Sequence, residues 1–423
     1  MFFLYKILTT ILFPLFILVI YLRKIFGKED PIRFKEKILP RYQKFKKNYN
    51  KNIWFHGASL GELLSVVPLI NYLLKENDKI NILITSTTIS SAKMIEKQFK
   101  GNNRVVHNFF PLDFSFLIKK FLNNFKPDLA IFIDSEIWPN FLNQIKKNKI
   151  KLILINARIT KKTLNRWLLI RKFAQHIFSL FDLCIASSED SFKNLEILKV
   201  NNKKYFGNLK YAPNKRYIPS LKKETIQYFN IHKVWLAANT HSDEEVFCIN
   251  TNFKIKKEFK NTLLIIIPRH INRIPSISKY CKIKNLKYQI ISTEEEIINE
   301  GTEILLINSF GVLSKYFNYC KDVFIGKSME KKLILVGGQN PLEAARLGCK
   351  IYHGPYVYNF QEIYKFLKTN NISYEINNEE ELAEKIKTSF NGLPLKKLEN
   401  VDNIDKYGKS ILKETAKELN KFI

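Results

Sequence analysis

The chemistry in this sequence begins with residues 56–62, which read HGASLGE. They follow a short apolar run and precede an amphipathic segment, a pattern that predicts a strand, a glycine-bearing turn and a helix start. Ser59 and Glu62 have the spacing of a capping box, in which each side chain bonds the other residue's backbone N–H. In a second interpretation, Glu62 lies at the rim of a ligand site as a general base. The spacing alone does not choose between cap and base.

Polar side chains also follow other predicted strands, at the sheet edge where open parallel sheets bind their ligands. In the first half of the chain they are Ser86, Thr87, Asp134, Glu136, Asn156, Arg158, Asn208 and Lys210. In the second half they are Asn239, Thr240, His241, Arg269 and His270. Each one taken singly could be a cap or a turn residue. Their recurrence predicts a ligand-binding cleft between two domains.

Residues 337–345 (GGQNPLEAA) form a second candidate ligand site. Asn340 suits a helix N-cap, Pro341 the first helical position and Glu343 the third. Two glycines would let this helix start approach a ligand, and its free N–H groups would favour an anion. Glu343 could instead accept hydrogen bonds from a ribose, and Arg269 could hold a phosphate through two parallel hydrogen bonds. A purely structural helix start is the alternative.

Short β-branched runs alternate with amphipathic segments from Ile53 onward, which predicts parallel sheets covered by helices on both faces. The pattern pauses at residues 211–220 and then restarts. We therefore predict two doubly wound α/β domains, at 29–215 and 216–423, the second including a C-terminal helix, after a membrane anchor and basic flank at 1–28. The strands predicted after the first are 80–85, 128–133, 151–155, 182–186, 234–237, 262–267, 303–307, 322–325 and 350–352.

Composition restricts the classes of partner. The 69 basic and 39 acidic residues leave a net charge of +30, which favours nucleic acid, anionic lipid or a phosphorylated substrate, although a lysine-rich composition accounts for part of it. The five cysteines have no paired spacing and the seven histidines form no HExxH motif, so we predict neither a disulfide framework nor a metal. Neither a Walker loop nor a GxGxxG fingerprint is present, which disfavours NTP hydrolysis and nicotinamide chemistry.

Residues 1–21 are almost wholly apolar and long enough to cross a bilayer. The basic residues that follow predict a cytoplasmic location for the rest of the chain. Pro14 and the absence of a small-residue cleavage site favour an anchor over a cleaved signal peptide, and the sequence leaves open whether the anchor spans the membrane or lies in one leaflet. From Arg23 to Lys51, eleven basic residues against three acidic ones predict binding to anionic headgroups, with a solvated linker as the alternative.

Seven segments occur in an order shared with a known family. They are 54–62 (WFHGASLGE), 136–140 (EIWPN), 207–210 (GNLK), Thr240-His241 with Glu244-Glu245, 268–270 (PRH), 337–345, and Gly354-Pro355 with Asn359-Phe360. Together they closely resemble the 3-deoxy-D-manno-octulosonic acid (Kdo) transferases of lipopolysaccharide synthesis. The resemblance covers nearly the whole chain, including the N-terminal anchor.

The resemblance implies a GT-B fold, with an acceptor-binding N-terminal domain and a CMP-Kdo-binding C-terminal domain. It implies an inverting, metal-independent transfer of Kdo from CMP-Kdo to lipid IVA on the cytoplasmic face of the inner membrane, with no nucleic acid as partner. Glu62 would be the general base, and Glu136 and Lys210 would match the positions that stabilise the transition state. The implied CMP-binding residues are Pro268, Arg269, Phe310, Gly311, Val312, Asn340, Pro341, Leu342 and Glu343.

The sequence departs from the family's usual pattern at three positions. Val312 replaces the carboxylate of a DxxGEL motif, Lys327 replaces a second glycine, and Gln339 replaces a histidine. A membrane-bound GT-B enzyme with another nucleotide-sugar donor is therefore one alternative. A non-enzymatic, membrane-tethered protein that binds anionic lipid or nucleic acid is another, for which binding would depend steeply on salt and not on Glu62 or Glu343.

Overall fold

A computed structural model describes residues 1–39, 42, 43, 45, 51–213, 220–293, 296–392 and 401–423. By its internal contacts the chain divides into two compact units. Unit 1 comprises Met1–Asn214 and Asp405–Ile423, and unit 2 comprises Lys215–Ile404.

Unit 1 contains a seven-stranded parallel sheet in the order β3-β2-β1-β4-β5-β6-β7. Its strands are β1 Lys51–His56, β2 Ile80–Ser86, β3 Val105–Phe109, β4 Leu129–Ile133, β5 Lys151–Ala157, β6 Leu183–Ala186 and β7 Lys203–Tyr205. Its helices are α1 Phe2–Ile25, α2 Leu60–Glu76, α3 Ile89–Gln98, α4 Ser115–Phe125, α5 Pro139–Lys147, α6 Lys161–Leu168, α7 Arg171–Phe178 and α8 Glu189–Ile197. The strand order reverses between β1 and β4, so their carboxyl ends form a topological switch point.

Unit 2 repeats this architecture with the order β10-β11-β9-β8-β12-β13-β14, again wholly parallel. Its strands are β8 Lys233–Thr240, β9 Thr262–Pro268, β10 Tyr288–Ile291, β11 Ile304–Ile307, β12 Asp322–Ile325, β13 Lys350–His353 and β14 Ser373–Glu375. Its helices are α9 Lys223–Asn230, α10 Glu244–Lys256, α11 Ile274–Ile283, α12 Leu313–Phe317, α13 Leu342–Arg346, α14 Gln361–Thr369 and α15 Glu379–Asn391. The switch point of this sheet lies between β8 and β12.

The core of unit 1 is aromatic beneath the switch point. Trp54 of β1 is fully buried, and its ring lies 4.8 Å from Phe121 of α4, 5.2 Å from Phe132 of β4 and 5.7 Å from Phe141 of α5. Aromatic side chains bury large areas and pack in tilted or edge-on pairs. These contacts fix β1, β4 and the start of α5 to one another, and the candidate site residues follow those three elements.

The C-terminal helix α16 (Val401–Leu419) is a correction to the predicted domains. Residues 405–423 were expected in the second domain but pack within unit 1. The reason is close backbone approach through two glycines: a Cβ at Gly408 would lie 1.6 Å from the Tyr211 carbonyl oxygen, and one at Gly207 would lie 2.6 Å from Ile411 Cδ1. An ion pair of 2.8 Å between Lys204 and Glu418 adds to this contact.

The basic stretch after α1 is partly internal. Lys37 is buried and pairs with Glu29 at 2.5 Å, while Arg33 pairs with Glu36 at 2.7 Å and also with Glu96. These ion pairs tie the stretch to unit 1. Lys28 and Lys35 of the same prediction are exposed, and Arg41, Lys44, Lys46 and Lys47 lie outside the described residues.

Candidate active site

Glu62 lies in the first turn of α2 and forms the predicted capping box. Its backbone N–H donates to Ser59 Oγ at 3.3 Å, while its Oε2 accepts the N–H groups of Ala58 at 2.8 Å and Ser59 at 3.3 Å. The Ser59 hydroxyl donates to Oε1 at 2.7 Å. The carboxylate is therefore folded back onto its own turn. A carboxylate has about four lone-pair sites, so three accepted bonds leave one site on Oε1 for a proton.

The environment of Glu62 brings its pKa close to neutrality. Burial raises the pKa of Glu62 to about 7, with a further increase from the carboxylates of Asp134 and Glu136 that outweighs the hydrogen bonds from Ser59 and Ala58. A general base works best when its pKa is near the operating pH. The carboxylate that forms the cap is therefore the same one whose pKa burial raises.

Glu136, in the turn between β4 and α5, is held by two donors. His56 Nε2 lies 3.2 Å from Glu136 Oε2, and Trp138 Nε1 donates to the same oxygen at 2.8 Å. His56 Nδ1 lies 2.9 Å from Thr85 Oγ1, which also accepts the indole N–H of Trp54 at 2.9 Å. Burial alone would raise the pKa of Glu136, but the bonds from His56 and Trp138 lower it below its usual value. Glu136 therefore remains a carboxylate at neutral pH.

A network of polar contacts around Asp134 positions Lys210. The Lys210 Nζ lies 3.9 Å from Asp134 Oδ2. Asn156 donates from Nδ2 to Asp134 Oδ1 at 2.5 Å and accepts the N–H of Leu209 at 3.0 Å, while Asn208 Oδ1 accepts the N–H of Lys210 at 3.0 Å. Asp134 and Asn156 both have positive φ, 59° and 52°, at the ends of β4 and β5. Asp and Asn tolerate this conformation better than other side chains.

Unit 1 thus brings together the three residues that the resemblance assigned to catalysis, Glu62, Glu136 and Lys210, at its switch point. Two further members, His56 and Asp134, were absent from the predicted catalytic set. Asp134 had a signal in the sequence, because it directly follows a buried apolar strand. His56 opens the HGASLGE stretch, but its position at the end of a strand is equally that of a core residue.

In unit 2, basic groups from three strand ends collect around His241. Burial lowers the pKa of His241 to about 4, and Lys327, His270, Arg269 and Arg273 each lower it further. His241 follows β8, Arg269 and His270 follow β9, and Lys327 follows β12, so the cluster lies at the switch point of this sheet. A concentration of positive charge at such a position suits an anion.

A buried carboxylate organises these strand ends. Glu244, at the start of α10, accepts backbone N–H groups from His241 at 2.9 Å, Lys327 at 2.7 Å, Ser328 at 2.8 Å and Met329 at 3.1 Å. Burial raises the pKa of Glu244, and the backbone donors oppose that increase. Glu244 therefore fixes the loop after β12 to the end of β8.

Lys327 occupies a backbone conformation that favours glycine, with φ at +62°. The resemblance leads us to expect a glycine here, and this backbone conformation is one that a glycine would adopt freely. Its neighbour Gly326 is sterically required, because a Cβ there would lie 2.6 Å from the Asn239 carbonyl oxygen. Burial lowers the pKa of Lys327, as does the nearby charge of Arg269.

The diglycine of the second candidate site packs closely against the protein's own backbone. A Cβ at Gly337 would lie 2.0 Å from the carbonyl oxygen of Tyr356, and one at Gly338 would lie 3.0 Å from Val357 Cα. Glycine is therefore required at Gly337 for packing within the protein. The Gly338 N–H donates to the Lys327 carbonyl at 2.7 Å, which places this segment beside the basic cluster.

The helix that follows begins one residue later than predicted. Helix α13 starts at Leu342 with Pro341 at the N-cap position, although the Asn340 side chain still accepts the Leu342 N–H at 3.1 Å. The Ser314 hydroxyl donates to Glu343 Oε1 at 2.5 Å. Since Ser314 lies in α12, this bond joins Glu343 to the turn that contains Val312.

The turn at 310–312 borders a cavity of about 300 Å³. Phe310 and Val312 line it together with residues at the carboxyl ends of β10 and β11, and Phe310 is 70% exposed. Unit 2 therefore joins Val312 to Glu343, and Arg269 to Lys327. Pro268 ends β9 and pairs with Thr240 of β8, next to the basic cluster.

Within the described part of the chain, no group of three or more His, Cys, Asp or Glu side chains is arranged to hold a metal ion. The five cysteines are free and buried.

Comparison with known proteins identifies the family. A family model described as 3-deoxy-D-manno-octulosonic-acid transferase (kdotransferase) matches residues 33–213. The 3-deoxy-D-manno-octulosonic acid transferase of Rickettsia bellii is 31% identical, over 90% of this chain and 88% of that one. That of Rickettsia typhi is 29% identical, over 99% of both chains.

A solved structure confirms the fold. A glycosyltransferase from Rickettsia africae aligns over 88% of this chain and 99% of its own with a TM-score of 0.58, at 12% identity. Two parallel seven-stranded sheets with helices match the predicted two-domain GT-B type. The chain belongs to the Kdo transferase family, the glycosyltransferases that add Kdo in lipopolysaccharide biosynthesis.

Proposed function

We propose that this protein transfers Kdo from CMP-Kdo to lipid IVA, with inversion at the anomeric carbon and with Glu62 as the general base. The observation that carries the proposal is the buried Glu62 carboxylate at the unit 1 switch point, whose pKa is raised to about 7. Family membership supplies the sugar, and the chemistry of these side chains supports the roles.

In the proposed reaction, Oε1 of Glu62 accepts the proton of the acceptor hydroxyl. The hydroxyl oxygen forms a bond to the anomeric carbon of Kdo as the bond from that carbon to the phosphate oxygen breaks, and CMP leaves with the electron pair. Attack from the side opposite to the leaving group inverts the configuration. Lys210 stabilises negative charge near the reacting centre, and Glu136 stabilises the positive charge that develops on the sugar.

Unit 2 supplies the proposed donor site. Arg269 and Lys327 are suited to the CMP phosphate, because both are cationic and lie close enough to affect each other. Glu343, which Ser314 orients, is suited to the ribose hydroxyls. We place the remainder of the nucleotide along the cavity beside Phe310 and Val312. With these cations available to the leaving group, we propose that the transfer needs no divalent metal.

We also propose that the reaction takes place at the cytoplasmic face of the inner membrane. Helix α1 supports membrane attachment, because it is the helix in the described residues that is long and apolar enough to cross a bilayer, with a mean hydropathy of 2.3. A lipid-linked acceptor is confined to the membrane, so an attached enzyme meets it in two dimensions.

The experiment is a transfer assay with purified full-length protein in detergent, CMP-Kdo, lipid IVA and excess EDTA, with the product analysed by mass spectrometry. Glu62→Gln should lower turnover by roughly 10²- to 10⁴-fold, the usual contribution of a general base. CMP binding should be unchanged. Glu76→Gln, at the exposed end of the same helix, is the matched control and should retain full turnover. Near-normal turnover by the Glu62 variant would rule out the base assignment.

A different nucleotide-sugar donor is the second candidate. Two observations favour it: Lys327 adds a cation where the family has a glycine, and Val312 removes a carboxylate from the turn beside Glu343. Thermal shift with CMP-Kdo, CMP, UDP and UDP-sugars separates the two candidates. Stabilisation by UDP-sugars and not by CMP-Kdo would replace the first proposal with the second.

A further inference from the structure

Helix α1 contacts unit 1 along its whole length and not only by one end. Near its start, the Tyr5 hydroxyl donates to Asp113 at 2.9 Å. In its middle, Phe13 packs edge-on against Phe114 at 4.7 Å. Near its end, Ile20 is 5% exposed. Positions that recur every three or four residues share one face of a helix, so one stripe of α1 is committed to the protein.

The opposite stripe of α1 is apolar and open. Phe3, Ile11 and Ile25 are each at least 70% exposed, and the apolar residues between them on this stripe are also exposed. Soluble proteins rarely leave a continuous apolar surface of this length uncovered. Hydrocarbon is the partner that suits it, because the stripe has no charged residue to pair with another protein.

The packing of the inner stripe is incompatible with a helix that crosses the bilayer. At about 1.5 Å per residue, the helix is about 36 Å long. If it stood across the membrane, the groups beside it would enter the hydrocarbon. These groups include the buried Asp113, the Asn140 side chain that donates to Thr9 at 3.2 Å, and the buried Glu29, which pairs with Arg23 of the helix at 2.7 Å. Charged groups at that depth are strongly disfavoured.

We propose that α1 lies in the plane of one membrane leaflet as an integral part of unit 1, with its outer stripe in the acyl chains, and does not cross the bilayer. The proposal rests on the membrane attachment proposed above and is independent of the transfer reaction. It chooses between the two arrangements that the sequence left open.

Neighbouring residues of α4 extend the same surface. Phe116 is 47% exposed, and its ring lies 5.1 Å from Phe13 of α1. Lys119 and Lys120 follow three and four residues later, so they share the helix face of Phe116, and both are exposed. An apolar wedge flanked by lysines suits a leaflet with anionic headgroups.

The inner stripe also links the leaflet to the Glu136 turn. The Asp113 carboxylate, which Tyr5 bonds, accepts the N–H groups of Asn140 at 3.2 Å and Phe141 at 2.9 Å. These residues open α5, directly after the turn that carries Glu136. Asp113 therefore connects α1 by hydrogen bonds to α5, the helix that positions a candidate catalytic carboxylate.

A second link starts beyond the other end of α1. The Lys37 ammonium, paired with Glu29, donates to the carbonyl of Thr87 at 2.8 Å. The Thr87 hydroxyl donates to the carbonyl of Ala58 at 2.9 Å, and the Ala58 N–H donates to Glu62. Both sides of the candidate site are therefore tied to the anchor segment.

The test determines on which side of the membrane each end of the chain lies. A protease site is added before Met1 in one variant of the full chain and after Ile423 in another. Each is expressed in cells and treated with protease as spheroplasts and as inverted inner-membrane vesicles. We expect both sites to be cleaved in inverted vesicles and protected in spheroplasts, because an in-plane helix leaves both ends on one side.

Cleavage of the two sites from opposite sides would overturn the proposal. Cleavage of both in spheroplasts would support the in-plane helix and contradict the proposed cytoplasmic location. The test therefore distinguishes failure of the in-plane proposal from failure of the proposed location. The readout requires no turnover, and Kdo transfer is measured separately on the same vesicles.

A second measurement tests the surface itself. Purified protein is mixed with phosphatidylethanolamine vesicles, with and without phosphatidylglycerol, and floated on a density gradient. Lys119→Glu with Lys120→Glu should weaken binding to the anionic vesicles by on the order of tenfold. Lys97→Glu with Lys100→Glu is the matched control, since α3 lies on the opposite face of the sheet by the right-handed crossover rule. Equal losses in both pairs would overturn the assignment of the α4 lysines to the membrane surface.

Discussion

His56 Nε2 and Glu136 Oε2 lie 3.2 Å apart and join the carboxyl ends of β1 and β4, the two strands between which the unit 1 sheet reverses its order. Because an ionised carboxylate only accepts, His56 donates through Nε2, while its Nδ1 lies 2.9 Å from the Thr85 hydroxyl oxygen. The His56 ring is fully buried and stacks on Phe110 at 3.6 Å between centroids. This pair holds Glu136 ionised and fixed in orientation at the site.

We expect His56→Phe to raise the pKa of Glu136, because the variant removes the hydrogen bond that counters burial. Because the pKa of Glu136 is lowered from its usual 4.5 in the folded protein, the ionised carboxylate stabilises the fold above pH 4.5. That stabilisation is lost as the pH falls through the pKa of the folded state. Loss of the bond should cost about 1–3 kcal/mol at pH 7 and less at pH 4.

Chemical denaturation at the two pH values measures this difference. His56→Gln is the control, because its side-chain amide keeps an N–H donor for Glu136. This variant should recover part of the stability at pH 7. A His56→Phe variant that is equally destabilised at both values would show that the ring matters for packing alone.

Asp134 should set the pH dependence of the reaction through Glu62. Burial and the charge of Asp134 raise the pKa of Glu62 to about 7, so kcat/KM should increase with pH and level off above about 7. Asp134→Asn removes the charge and should shift that midpoint to lower pH. Asp182→Asn is the control, because Asp182 precedes β6 at the opposite edge of the sheet and pairs with Lys146. An unchanged midpoint in Asp134→Asn would contradict the coupling.

Tyr5→Phe should destabilise unit 1 although it removes only one hydroxyl from the N-terminal helix α1. Burial raises the pKa of Asp113 to about 6, above its usual 3.8. The protonated side chain therefore makes its full contribution to stability below pH 3.8, and that contribution is lost as the pH rises through 6. The Tyr5 bond partly offsets that loss by stabilising the charged form. We expect a cost of about 1–3 kcal/mol at pH 8, and a smaller one at pH 5.

Thermal unfolding in detergent at the two pH values measures this cost. Tyr21→Phe is the matched control, because Tyr21 lies on the same helix and contacts Phe34 through its ring. The same loss in both variants, or no loss in Tyr5→Phe, would contradict a structural role for the bond between Tyr5 and Asp113.

Substitutions of Lys327 in unit 2 can separate the effect of its backbone conformation from the effect of its charge. Asparagine tolerates positive φ, so Lys327→Asn should retain the loop and change stability by no more than about 0.5 kcal/mol. Because the variant removes a cation beside Arg269, CMP binding measured by calorimetry should weaken severalfold. Lys327→Arg should restore most of the affinity. Unchanged affinity in the asparagine variant would place Lys327 outside the donor site.

The sequence by itself determined the two α/β units and most of their strands. Buried strands such as β4 (Leu129–Ile133) and β9 (Thr262–Pro268) are continuous apolar runs, which parallel sheets covered on both faces require. Four edge strands, β3, β7, β10 and β14, escaped prediction. They are short or contain polar residues such as His107 and Lys203, because an edge strand has only one neighbour and is less buried.

The sequence also located Glu62, Glu136 and Lys210, since each stands in a segment of a recognisable order. Tertiary structure alone decided what surrounds them. The hydrogen bond of His56 with Glu136 and the electrostatic effect of Asp134 on Glu62 join residues 80 and 72 positions apart along the chain, and no local pattern encodes such a distance. Likewise, hydropathy predicted a membrane segment at α1, but only its packing against Asp113 and Phe114 supports a proposal for how it lies in the membrane. The stripe that a helix buries shows how the helix is oriented, and that stripe can be identified only when the residues that cover it are known.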